Sequence, residues 1–283
     1  MGEFKENIHL LKPKSRSNLR VLLGKKYYTY KRYMKWYLGK EKYAKSKEEE
    51  LFKYVFFTHR TPLYRQLKDV DMWYQHNKVK NLKVAIKQLN KITIKPRETF
   101  SYWKLIGKPT KRKGFVNGMV LYYGNYKSGV GGGLCQLSNL IYWMTLHTPL
   151  TVIERYRHSY DVFPDSKRTQ PFGSGATCVY NYRDLGIYNN TEETYRLHLY
   201  LTENELVGEW RTHIEPYCKY EVYEKEHVIT QEYWGDYLRH NSIYRKSFDL
   251  EGCFLDDEYI TENHAIMMYQ PFLENDDSKI HQK

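Results

Sequence analysis

Cys135 follows three glycines, Gly131, Gly132 and Gly133, and one leucine, and it opens a stretch in which Leu137, Leu140, Ile141 and Met144 recur at helical spacing. The pattern predicts a helix whose first turn carries the thiol and whose apolar stripe faces a core. Backbone N–H groups in a first helical turn lack intrahelical acceptors, and the dipole there favours negative charge. A cysteine so placed can have its pKa lowered from about 8.5 into the range of roughly 3.5–7.5. Glycines, which have no Cβ, let a substrate carbonyl approach the backbone. One short segment would then supply both a thiolate nucleophile and an oxyanion hole. The same residue types also suit a buried structural thiol beside a turn, because free cysteine is among the most buried residue types.

A thiol nucleophile needs a base. His158 is the first choice, since it follows Cys135 on the next short strand and has polar neighbours; a surface or structural histidine is the competing role. Asp184 would orient His158, or serve as a local turn acceptor. His147 ends the predicted helix and suits a cap or dipole partner. His198 lies on the polar face of a strand and is expected in solvent. Gln136 and Ser138 in the first turn, and Ser159 beside His158, are expected to face substrate, although Ser138 could equally bond within its own helix.

The elements that must position these groups read as α+β: an antiparallel sheet packed on a buried helix that carries Cys135 in its first turn. Helical spacing marks Leu19–Glu50 and Asn81–Asn90, with Gly39 interrupting the first. Strand signals fall at Phe52–Phe57, Ile92–Ile94, Met119–Tyr123, Leu150–Glu154, Cys178–Tyr182, Leu185–Tyr188 and Tyr195–Leu201. Short strands at Tyr220–Tyr223, Ile243–Phe248, Tyr259–Thr261 and His264–Tyr269 suggest a solvent-facing antiparallel extension. The chain thus divides into a basic, largely helical part (1–50, its first 18 residues disordered), a central domain (51–212) and a C-terminal β extension (213–283).

The 283 residues carry a formal net charge of +12, unevenly placed. Residues 1–50 hold 14 Lys and Arg against 6 Glu, whereas residues 251–283 hold 2 Lys against 8 Asp and Glu. A basic leading arm suits an anionic surface, and Tyr27, Tyr30, Met34 and Tyr37 fall on one stripe of it that could lie on lipid or pack on the body. Abundant tyrosine and basic charge carry no nucleic-acid motif, so no nucleic-acid partner is expected. The four cysteines form no C-x-x-C pair and no close Cys/His set, so no metal and no cofactor is expected, and the thiols should stay reduced. No apolar run suits a signal or membrane span, which points to the cytoplasm, peripheral to the inner face of the membrane.

The segment G-G-G-L-C-Q-L-S-N-L-I-Y-W resembles the signature of the VanW family, associated with vancomycin-resistance clusters. Lys78–Ile86, Ile94–Trp103, His147–Arg155, His158-Ser159, Gly175–Thr177 and Asp184–Asn189 extend the resemblance over roughly Leu51–Arg211. Two positions depart from it: Arg97 and Gly175 stand where many members have Gly and Asp. The chain is similar to the short members that lack a signal. Some extracellular VanW domains act as L,D-transpeptidases through this cysteine, so the resemblance implies acyl transfer on a peptidoglycan stem peptide. Cys135 would attack a peptide carbonyl and release a D-amino acid, with backbone N–H groups of Gly132, Gly133 and Cys135 as the oxyanion hole. The alternative is a non-catalytic module that binds a cell-wall precursor or its anionic lipid carrier. Gly131–Gly133 would then be an anion-binding nest, helped by Lys108–Lys113.

Overall fold

Helix and strand both form in the computed structural model, which describes residues 17–64, 71–122, 124–162 and 170–270. In chain order come α1 (Asn18–Leu38), β1 (Lys42–Tyr43), β2 (Tyr54–Pro62), α2 (Met72–Leu89), β3 (Thr93–Ile94), β4 (Glu98–Ser101) and α3 (Tyr102–Ile106). After a short 3-10 turn at Lys111–Lys113 follow β5 (Asn117–Tyr122), β6 (Asn125–Val130), α4 (Cys135–Leu146), β7 (Thr151–Glu154), β8 (Tyr160–Asp161) and β9 (Gly186–Tyr188). The chain closes with β10 (Tyr195–Leu201), β11 (Glu205–Thr212), β12 (Lys219–Gln231), β13 (Tyr237–Phe248) and β14 (Phe254–Met267). The disorder expected of the first residues concerns positions that, up to residue 16, lie outside the described residues.

The α+β expectation holds, and α4 is its centre. Leu137, Leu140, Ile141 and Met144 are each at most 1% exposed, as their spacing requires. Ser138, Tyr142, Trp143, Thr145 and Leu146 are buried as well, so α4 is enclosed on nearly every side. It packs on β2 and β11 of the antiparallel sheet β2-β11-β10-β3, and on β7 at the edge of the sheet β1-β4-β9-β7. Gly208 on β11 makes this approach possible. A Cβ there would lie 2.5 Å from Leu140 Cδ2 and 2.8 Å from Met144 Sδ. Trp210 Nε1 donates to Thr145 Oγ1 at 3.2 Å across the same interface.

Several expectations change in extent. The first helix stops at Leu38, because Gly39 caps it in an extended conformation. The second begins at Met72, with Asp71 Oδ1 accepting from Trp73 N. Between Cys178 and Tyr182 the expected strand is absent; Val179 and Arg183 close a tight bridge instead. On β10, Arg196 is 2% exposed and donates through Nε to Glu48 O, so that face is not solvent-facing as expected. The C-terminal strands are far longer than their signals. β12, β13 and β14 form one twisted sheet, joined by β8 in parallel, and Leu238–Ile243 of β13 is buried.

The core runs through most of the chain. Trp36 and Ala44 belong to the same apolar cluster as Leu82, Phe100, Leu140 and Trp210, and Val222 and Ile260 pack against it. No helix among the described residues is long and apolar enough to cross a membrane.

Candidate functional site

Cys135 is the first residue of α4, as expected, and Leu134 before it already has helical dihedrals. The glycine run is shaped from outside. Gly131 and Gly133 have φ of 78° and 89°, which favour glycine. A Cβ on Gly132 would lie 2.1 Å from the carbonyl carbon of Gly118, so β5 and the glycine loop cross at backbone contact. Asn81 of α2 clamps that crossing: its Nδ2 donates to Val116 O at 3.1 Å and Gly132 O at 2.9 Å, and its Oδ1 accepts from Val116 N at 2.8 Å. Asn77, one turn earlier, donates to Asn117 O at 2.8 Å.

This arrangement corrects the oxyanion assignment. The N–H of Gly131 donates to Val116 O and that of Gly132 to Gly129 O, so neither is free for substrate. The N–H groups of Gly133 and Leu134 donate to no carbonyl among the described residues. Lys78 of α2 lies over Gly133, where a Cβ would meet Lys78 Cγ at 2.4 Å, and its Nζ donates to Gln75 Oε1 at 2.6 Å.

The other wall of the site is the segment after Gly175. Ala176 is held on both sides by α4: its N–H donates to Asn139 Oδ1 at 2.8 Å and its carbonyl accepts from Ser138 Oγ at 2.7 Å. Cys178 is thereby brought to Cys135, and the backbone N–H groups of Cys178 and Cys135 lie close enough to the Cys135 sulfur to oppose part of the rise in its pKa. Tyr102 completes the enclosure, donating from its hydroxyl to Leu134 O at 3.0 Å. Cys135 as a residue keeps part of its surface, yet desolvation dominates at the sulfur and pushes the thiol pKa up. A lowered pKa, the expectation from the helix terminus alone, is therefore corrected. Cys178, buried beside Asp184 and Cys135, is raised further.

His158 is not hydrogen-bonded to Cys135. It makes no hydrogen bond among the described residues, and burial together with the charges of Arg183 and Arg157 lowers its pKa to about 4. Asp184 does not orient it. One carboxylate oxygen accepts from Ser101 Oγ at 2.5 Å, and the other from Trp103 N and Leu185 N at 2.9 Å each. Asp184 thus fixes the β4–α3 corner, and burial raises its pKa to about 6. Ser138 is 0% exposed and bonded to Ala176 and Cys135 carbonyls, so its role is to hold α4 to the Ala176 segment. Ser159 is exposed, and its carbonyl accepts from Ile266 N. Gln136 remains at the site: its Nε2 donates to Thr61 Oγ1 and Pro62 O, while its buried Oε1 has no partner among the described residues.

The other two histidines weighed from the sequence, His147 and His198, also find places. His147 Nδ1 bonds Trp143 O at 2.9 Å and its ring stacks on Phe57. Its pKa falls to about 4 through burial, so it is a neutral cap. The cation at that helix end is Arg245, which donates to Leu146 O at 3.1 Å and Thr148 O at 2.8 Å. His198 is drawn out of solvent by Glu209, at 3.1 Å. A groove of about 440 Å³ near Val84, Lys104 and Phe115 shares no lining residue with the surroundings of Cys135. Asp249, Glu251 and Cys253 gather on the turn after β13, where Cys253 N donates to Asp249 Oδ1, a contact of the turn itself.

Residues 77–211 match the family described as VanW like protein, a span that holds α4, the Asn81 clamp, Cys178 and Asp184. The chain is 35% identical over 195 residues to the vancomycin B-type resistance protein VanW of Enterococcus faecalis, covering 69% of this chain and 71% of that protein. The chain belongs to the VanW family. A second relative, the uncharacterized protein YoaR of Bacillus subtilis, is 30% identical over 82 residues, 29% of this chain and 27% of that one. No solved structure matches the chain significantly. Within the VanW span, Lys78, Asn81 and Tyr102 are contributors that motif reasoning missed. All three lie within segments that carry the resemblance, Lys78–Ile86 and Ile94–Trp103, yet nothing in the sequence aims them at the glycine loop.

Proposed function

We propose that the chain serves glycopeptide resistance as a cysteine acyltransferase on peptidoglycan stem peptides, working through Cys135. One arrangement carries this reading. The thiol stands at the head of α4 with two backbone N–H groups close enough to favour its thiolate, while those of Gly133 and Leu134 have no carbonyl acceptor among the described residues. The name of the enterococcal relative supplies the context of vancomycin resistance. The sulfur attacks a stem-peptide carbonyl, the S–C bond forms and the C–N bond to the terminal D-amino acid breaks. The proton that the thiol retains at rest leaves with that amine. An acceptor amine, or water, then attacks the thioester, and its proton returns to sulfur. Gln136 Oε1, buried without a partner among the described residues, is the acceptor for a substrate N–H.

A second reading has its own support. A protonated thiol with no imidazole bonded to it among the described residues suits a non-catalytic module that binds a cell-wall precursor or its anionic lipid carrier at the inner membrane face. Intact-mass measurement after incubation with a stem pentapeptide separates the two. Acyl transfer gives a thioester adduct on Cys135 that Cys135→Ala abolishes. Precursor binding without any adduct, retained in Cys135→Ser, leaves only the binding module.

A further inference from the structure

Helix α1 has two faces of opposite use. Its inner face is fixed to the body by Trp36, 6% exposed, by Arg32, whose Nη1 meets Glu154 Oε2 at 2.6 Å, and by Tyr33, whose hydroxyl bonds that of Tyr180 at 2.9 Å. Lys104 adds a hydrogen bond to Trp36 O at 2.8 Å. The outer face carries Leu19, Leu23, Tyr27, Tyr30, Met34 and Tyr37, each between 56% and 71% exposed. They are spaced three or four residues apart, so they form one straight apolar stripe along a helix about 30 Å long. At 100° per residue Lys26 borders the stripe on one side and Arg20 and Lys31 on the other. The helix contains no Asp or Glu. Arg32 and Lys35 have acidic partners, whereas Arg20, Lys25, Lys26 and Lys31 form no ion pair among the described residues.

We infer that the outer face of α1 is a docking surface for an anionic lipid bilayer, on which the helix lies in the plane of the headgroups. An apolar stripe bordered by cations, with tyrosines whose rings are apolar and whose hydroxyls are polar, suits that interface. The surface is charge-complementary to anionic lipid. A second copy of the chain fits it poorly, because stripe-to-stripe pairing would gather the cations of two helices with no acidic side chain on either. α1 lies outside the residues matched by the VanW family, and the inference is independent of any chemistry at Cys135.

Co-sedimentation of the full chain with phosphatidylglycerol-rich vesicles, against pure phosphatidylcholine vesicles, tests it. Binding to the anionic vesicles alone is expected, and it should weaken as salt rises. The variant Arg20→Gln, Lys26→Gln, Lys31→Gln should bind roughly 100-fold more weakly. The variant Leu23→Gln, Tyr30→Gln, Met34→Gln, which alters exposed side chains only, should lose more than about tenfold with an unchanged near-UV circular dichroism spectrum. Equal binding to both vesicle types, no binding, or unaltered binding by both variants would overturn the inference. So would a dimer, seen by sedimentation velocity without lipid, that the stripe variant dissociates.

Discussion

The Cys135 thiol keeps its proton at neutral pH because taking a thiolate out of water costs more than two N–H donors return. Alkylation needs the thiolate, so iodoacetamide should modify Cys135 slowly near pH 7, at a rate that keeps climbing above pH 9. Exposed Cys253 should react first. Peptide mapping after short pulses across that pH range checks this, and early labelling of Cys135 at neutral pH would contradict it. A glycine run followed by helical spacing made the thiol and its helix start legible from sequence. The direction of its pKa was not, since the residues that strip water from the sulfur, Tyr102 and the Ala176–Cys178 segment, come from other parts of the chain. His158 and Asp184 fail as a pair for a related reason. Order along the chain says which residues follow a nucleophile, not which way a corner such as Ser101–Trp103 will turn a carboxylate.

Among the elements, α2 does more for the site than its periodicity suggests. Leu82, Ala85, Ile86 and Leu89 form the apolar face read from the sequence, and all are buried. Asn77 and Asn81 share the buried surface but spend it on the backbone of Val116, Asn117 and Gly132. Asn81→Leu would leave the Val116 N–H and the Gly132 carbonyl without partners, at about 1–3 kcal/mol per group. The thermal midpoint should fall by roughly 5–15 °C in a scanning calorimeter. An unchanged midpoint would mean that the glycine loop holds its shape unaided. α1 teaches the converse lesson. Aromatic residues occupy both of its faces, so composition could not tell the face bearing Trp36 from the stripe of Tyr27, Tyr30, Met34 and Tyr37. Tertiary partners, Glu154 and Tyr180, make the choice.

Across the whole molecule, acid should act chiefly through histidine. Burial lowers the pKa of His147, His158 and His240 to about 4, and His59 shifts the same way. A group whose folded pKa is depressed binds protons more readily in the unfolded chain, so these residues contribute stability above about pH 6.5 that is lost as pH falls toward 4. Asp184 opposes them. Its folded pKa of about 6 lies above the usual 3.8, so the folded chain takes up that proton first, and this contribution is fullest below about pH 4 and lost as pH rises through 6. Three strongly shifted histidines against one carboxylate leave the balance with the histidines, and the thermal midpoint should drop steadily from pH 7 to pH 5. Asp184→Asn separates the two effects, because the amide keeps an acceptor for Trp103 N while removing the buried charge. It should raise the midpoint at pH 8, by up to about 3 kcal/mol of stability, with a gain that shrinks as pH falls through 6. A gain that stays constant with pH would mean that Asp184 is not titrating in its buried corner, and the acid response would then belong to the histidines alone.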